Sequence, residues 1–205
     1  MRRVSFFFST DKFSQLGEIA LVESDEMHAG SNPPNLLNLK VGKIIECVRH
    51  ENADSLYVSR VQINQDGDLL QICSGLVNYM RQDQLLNSEV IVLTNLKPSK
   101  MRGVRSEAML LAAEKKSMAD QEQIQVKLVK PPTGSSIGDR LYFQGFKSDD
   151  SPSKLKSNAW QEIQKCLKTN SKGEAFYEFE DAEPCYLQNE QESNATAELE
   201  DAIIR

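Results

Sequence analysis

The chain has 205 residues, enough for one large domain or two small ones, and 40% of them are hydrophobic. Its formal net charge of −6 excludes an indiscriminate polyanion binder, and no apolar run approaches the ~20 residues a membrane-crossing helix needs. The charge is uneven: residues 37–146 carry 14 Lys/Arg against 12 Asp/Glu, whereas residues 147–205 carry 7 against 13. Phosphate contacts therefore belong to the middle of the chain, and the C-terminal part opposes them at long range. Cys47, Cys73, Cys166 and Cys185 have no CxxC spacing, and His28 and His50 are the only histidines. Neither a zinc site, a disulfide framework nor a nucleophile–base pair follows, so no metal, cofactor or catalytic residue is expected.

Residues 1–35 read as a poorly ordered leader and linker. The apolar core of the opening MRRVSFFFSTDKF is too short for a secretory signal, so a cytoplasmic chain is expected. An organellar presequence, suggested by the Arg/Phe/Ser composition, is the alternative. A short helix could occupy 13–22, and the run Gly30-Ser31-Asn32-Pro33-Pro34-Asn35 is a linker signal.

From Leu36 the texture changes to short apolar runs separated by turn residues. Residues 39–48 read as a long strand with a bulge or bend at its glycine, Gly42. Residues 56–63 alternate as a half-buried strand does, Asp66-Gly67 signals a hairpin, and 69–74 is the next strand. A short helical or turn segment spans 79–86. Strands over 90–94 and 106–112 flank a rigid basic loop that holds Lys97, Lys100, Arg102 and Arg105, with no acid before Glu107. Pro98 stops a helix there and Gly103 permits a turn. Strands over 123–129 and 141–143 complete the block.

Several short strands in residues 36–146 predict a mainly β fold, a small barrel, with the five-stranded OB-fold fitting the long bent first strand. After a polar linker, a small α+β extension over 147–205 packs on the barrel. It has a helix over 155–168 that places Trp160, Ile163 and Leu167 on one face, strands over 175–179 and 185–187, and an acidic, partly disordered tail over 188–201. Trp160 reads as core rather than as a binding platform.

Several ordered motifs carry a resemblance: Leu39-Lys40-Val41-Gly42-Lys43-Ile44, Asn52-Ala53-Asp54-Ser55-Leu56-Tyr57, Ser74-Gly75-Leu76-Val77-Asn78, and the long Asn95-Leu96-Lys97-Pro98-Ser99-Lys100-Met101-Arg102-Gly103-Val104-Arg105-Ser106-Glu107-Ala108-Met109. Residues 37–146 thereby resemble the tRNA-binding domain of the endothelial-monocyte-activating polypeptide II family. That family includes the multisynthetase-complex auxiliary protein and the yeast tRNA-binding synthetase cofactor. The resemblance implies a non-catalytic module that grips tRNA by shape and backbone with little sequence choice, and an aminoacyl-tRNA synthetase as a partner. A weaker likeness continues through Trp160-Gln161-Glu162-Ile163-Gln164 and Thr169-Asn170. The family's lysine-rich run before the tryptophan is reduced here to Lys154 and Lys156, and the acidic stretch 180–201 is unusual.

The RNA-binding candidates are Lys40, Lys43, Asn95, Lys97, Lys100, Met101, Arg102, Arg105 and Ser106. Lysine and arginine supply phosphate contacts, and Arg102 could also fork onto a phosphate or stack on a base. Lys40 and Lys43 would extend the groove along the first strand. Met101 offers soft apolar surface. Asn95 and Ser106 either donate to phosphate or ribose or satisfy loop backbone. Tyr57 is either a stacking ring or core. The competing readings are a protein-interaction module with weakened RNA binding and a cytokine-like role.

Overall fold

The computed structural model describes residues 33–117, 123–147, 152–180 and 182–205. The leader, its short helix and the start of the linker lie outside the described residues. Among these residues every pairing between two strands is antiparallel.

Strand β1 (Leu39–Arg49) organises the first part, and it changes partners along its length. Over its first five residues one edge pairs with β4 (Glu89–Leu93), from Leu39↔Leu93 to Lys43↔Glu89. From Lys43 onward it pairs with β2 (Tyr57–Gln62), which in turn pairs with β3 (Leu69–Ser74). Beyond Ile44 the β4 edge passes to the segment around helix α1 (Gln82–Leu85). There the Asn87 N–H donates to the Ile44 carbonyl, and Gln82 Nε2 donates to that of Cys47.

The bulge expected at Gly42 lies further on, where the register shifts between Ile44 and Glu46. Gly42 serves close packing instead. A Cβ there would come within 2.8 Å of Val61 Cγ1 and 2.9 Å of Val92 Cγ2.

The basic stretch is a hairpin of β5 (Ser99–Met101) and β6 (Val104–Ser106) rather than an irregular loop. It is followed by β7 (Met109–Leu110), which pairs with β4, then β8 (Ala112–Lys116), β9 (Ile124–Lys130) and β10 (Arg140–Phe143). Strand β8 pairs with β9, and β10 returns to the start of β1 through Leu39↔Leu141.

Helix α2 (Ser157–Lys165) is shorter than the predicted 155–168. Leu155 is taken by a parallel bridge to Leu96, and its N–H donates to the Asn95 carbonyl. At the other end Leu167 starts β11 (Leu167–Thr169), drawn out of the helix by pairing with β12 (Ala175–Tyr177). The helix buries Trp160 and Ile163, as its apolar stripe requires.

Strand β13 (Cys185–Gln188) joins β12 to β10. The tail expected to be loose carries β14 (Thr196–Ala197) on β9, and just past it β15 (Ile203–Ile204) lies between β8 and β11. The physical reason is alternation. Ala195, Ala197 and Leu199 point inward while Thr196, Glu198 and Glu200 point out, a period-2 pattern that the acidic composition conceals.

Two apolar cores result, one on each face of β1 and β4. Val90 and Val92 join Ile44, Tyr57, Val61, Ile72 and Leu128. Ile91 and Leu93 join Leu39, Val41, Trp160, Ile163, Tyr177 and Leu187. Burial on both faces explains why β4 reads as an unbroken apolar run. Residues 36–146 and 147–205 thus share one sheet and one of the two cores.

Candidate nucleic-acid interface

The hairpin turns through two residues, Arg102 at φ 49° and Gly103 at φ 96°. A two-residue hairpin turn with both central residues at positive φ matches the right-handed twist of its strands. Glycine takes such a φ without strain, while Arg102 holds it against its own Cβ. Register then places Lys100 directly opposite Arg105. Like charges at opposed positions repel, so this pair costs stability.

All four cations of the stretch, Lys97, Lys100, Arg102 and Arg105, are exposed. Arg105 has Glu107 at 3.6 Å. Among the described residues no acid pairs with Lys97, Lys100 or Arg102.

The hairpin is strapped down from beneath. Ser106 Oγ accepts from the Cys73 N–H at 3.0 Å and donates to the Ala108 carbonyl at 3.1 Å. Gln71 Nε2 donates to the Arg105 carbonyl at 2.8 Å, and the Gln71 N–H donates to Glu107 Oε2 at 3.0 Å. Buried His50 accepts the Asn52 N–H on Nδ1, which leaves Nε2 to donate to the Met101 carbonyl at 3.2 Å.

The candidates are therefore divided by geometry. Lys97, Lys100, Met101, Arg102 and Arg105 stand together on the hairpin and its base. Lys40 and Lys43 lie in the first half of β1, opposite Arg140 and Gln62 respectively. At about 3.3 Å per residue, Lys43 is on the order of 20 Å along the strand from His50, where the hairpin rests.

Asn95 and Ser106 do not reach the surface. Asn95 is 3% exposed. Its Oδ1 accepts from the Asn38 N–H, and its Nδ2 donates to the carbonyls of Leu36 and Ser153. Ser106 is buried in the bonds given above. Of the two roles open to Asn95 and Ser106, both side chains take the second and satisfy protein backbone. Tyr57 is core as well, with its hydroxyl donating to the Met80 carbonyl.

Beside the hairpin runs a groove of about 350 Å³, lined among others by Leu76, Tyr79, Lys97, Met101, Met109 and Arg205. Tyr79 and Arg205 come to it from separate elements, and nothing local in the sequence signals their meeting.

A wider cleft of about 860 Å³ lies where β8 and β9 meet the tail, with Lys115, Lys116, Lys130 and Lys172 on it. Here the acidic tail meets its cations. Glu198 pairs with Lys130 and stands 3.9 Å from Lys127, while Lys115 Nζ donates to the Glu200 carbonyl. The Lys130 ammonium holds the Glu198 carboxyl below the usual carboxylate range. Glu198 of the acidic tail is thus matched locally to the cations of β9, while Lys97, Lys100 and Arg102 keep no acid partner among the described residues.

An antiparallel β module with a strapped, cation-bearing hairpin is the class these elements define. Residues 39–140 match the family model described as "Putative tRNA binding domain", and the chain belongs to that family of tRNA-binding domains. It is 45% identical over 123 residues to the cytoplasmic tyrosine–tRNA ligase of Xenopus tropicalis, covering 60% of this chain and 22% of that protein. It is 37% identical over 171 residues to the aminoacyl tRNA synthase complex-interacting multifunctional protein 1 of Cricetulus griseus, covering 82% of this chain and 45% of that one. The crystal structure of the C-terminal domain of Plasmodium vivax p43 superposes with a TM-score of 0.71 at 27% identity, covering 85% of this chain and 99% of that domain. The chain spans less than half the length of these curated relatives.

Proposed function

We propose that this chain is a non-catalytic tRNA-binding protein, an auxiliary factor that delivers or retains tRNA for aminoacyl-tRNA synthetases in the cytoplasm. The observation that carries the reading is the hairpin. Lys100 and Arg105 are held face to face at a cost, on a scaffold tied down by Ser106, Gln71 and His50. Glu107 offsets only Arg105, so a local rule broken at Lys100 points to a ligand, and four clustered cations suit phosphates. The family of residues 39–140 supports tRNA as that ligand. The printed name of the Cricetulus relative supports a synthetase assembly as partner.

We read residues 36–146 as a five-stranded OB-fold barrel. The passage of β1 between β4 and β2, with tight packing at Gly42, supports this. Residues 147–205 are its extension and 1–35 a leader and linker. Lys97, Lys100, Arg102 and Arg105 grip phosphate, with Met101 beside them and Lys40 and Lys43 extending the track. Ser106 positions the hairpin, and Asn95 ties the segments behind it. Contacts to phosphate rather than to base edges give affinity for tRNA shape with little sequence choice.

The test is titration of a labelled total-tRNA pool across a salt series, beside a Lys97→Ala/Lys100→Ala/Arg102→Ala variant. The four contacts of the basic stretch contribute roughly −3 to −4 to the wild-type log–log slope. The variant removes three of them, so its slope should be shallower by about 2 to 3, with affinity lost in proportion. A wild-type slope near zero, or no binding at low salt, would remove tRNA as the ligand.

A further inference from the structure

The groove beside the hairpin is apolar where the hairpin is charged, and that pairing is what an unstacked nucleotide presents. Its floor is Leu76, Met101, Met109 and Leu110, and Tyr79 stands at its edge 42% exposed. An aromatic ring that exposed is unusual for a side chain of its size, because burial is where its area stabilises the fold. Lys97 lines the same groove, and Lys100, Arg102 and Arg105 rise from the adjoining hairpin. Glu114, the acid lining the groove, has Arg205 Nη2 at 3.4 Å, which offsets its repulsion of phosphate. A volume of about 350 Å³ lies at the small end of the range for small-molecule sites.

We propose that this groove takes an unpaired nucleobase of the bound RNA, with Tyr79 as the stacking ring. The cations on its rim then hold the flanking phosphates. This rests on the tRNA reading above and deepens it. Grip on the backbone alone leaves paired and unpaired RNA equivalent apart from charge density. A base slot makes the module prefer an end or loop where a nucleotide is free to leave its stack. An apolar peptide would fill the same volume but leave Lys97, Lys100 and Arg102 without an acid partner, and the charge argues for the nucleotide.

The experiment uses the full chain and two labelled RNAs: a blunt-ended duplex, and the same duplex carrying a short unpaired 3′ overhang. Wild-type protein should bind the overhang form tighter by on the order of ten-fold. Tyr79→Ala should erase that preference while leaving the blunt-duplex affinity and its salt slope unchanged. Tyr79→Phe should keep the preference, since the ring survives. Because Tyr79 is exposed, neither variant threatens folding.

Equal binding of the two RNAs by the wild type, or equal weakening of both by Tyr79→Ala, overturns the base slot while leaving the phosphate grip intact. Absence of salt-dependent binding to either RNA overturns the tRNA reading itself, and the slot with it.

Discussion

Asn95 shows how one residue can look functional and be architectural. It sits in the basic stretch that carries the family resemblance, two positions before Lys97. Its amide ties together three segments: the approach to β1 at Leu36 and Asn38, the end of β4, and the entry to the C-terminal part at Ser153. Those partners lie 57 to 59 residues away in sequence, so local reading saw the polar side chain but not its employment. Asn95→Ala removes three part-buried hydrogen bonds, to the Asn38 N–H and the carbonyls of Leu36 and Ser153. The expected loss is about 2–3 kcal/mol of stability in urea unfolding, at about 1 kcal/mol per lost bond. RNA affinity of the folded variant should stay at the wild-type value. A folded variant with normal stability and weakened RNA binding would return Asn95 to the contact surface. Ser106 and Tyr57 repeat the lesson, each bonded across the fold to residues its neighbours in sequence do not announce.

At the scale of elements, legibility followed periodicity. The alternating strands β2 and β9 and the apolar stripe of α2 were visible in outline because their spacing is regular. The ends of α2 were not, since strand pairing by Leu167 and the bridge of Leu155 decide them. The hairpin was missed because Arg102-Gly103 lacks the Asn-Gly or Asp-Gly signature that usually marks such a turn. The breakers Pro98 and Gly103 announced a change of direction but not two paired strands. This turn now makes a prediction. Gly103 holds φ 96°, where a Cβ is strained, although open space surrounds the position. Gly103→Ala should therefore cost about 1–2 kcal/mol through backbone strain alone. The strain falls on the scaffold that aligns Lys100 with Arg105. Affinity for tRNA should drop several-fold with the salt slope reduced, measured in the same titration. A variant with wild-type affinity would mean that the cations act without the turn that presents them.

At the scale of the molecule, the two-sided burial of β1 and β4 couples the segments that sequence separated. One face of these strands closes over residues within 36–146. The other, with Leu39, Val41, Ile91 and Leu93, is covered by Trp160, Ile163, Tyr177 and Leu187 from the C-terminal part. The tail also supplies backbone pairing: β14 covers β9, and β15 covers β8. A fragment ending at residue 146 would uncover a full apolar face and free three strand edges, those of β8, β9 and β10. Burial stabilises by roughly 25 cal/mol per Å² of apolar area, so exposing several large side chains removes more than a marginal domain holds in reserve. Such edges also invite pairing with other chains. The fragment 33–146 should accordingly lose its cooperative urea transition by far-ultraviolet circular dichroism, bind a hydrophobic dye, and associate. The chain 33–205 should unfold in one transition in which Trp160 fluorescence and circular dichroism coincide. If the fragment instead unfolds sharply at the midpoint of the longer chain, the second core contributes nothing to the first. Residues 147–205 would then be an appendage whose charges, rather than its packing, explain its presence.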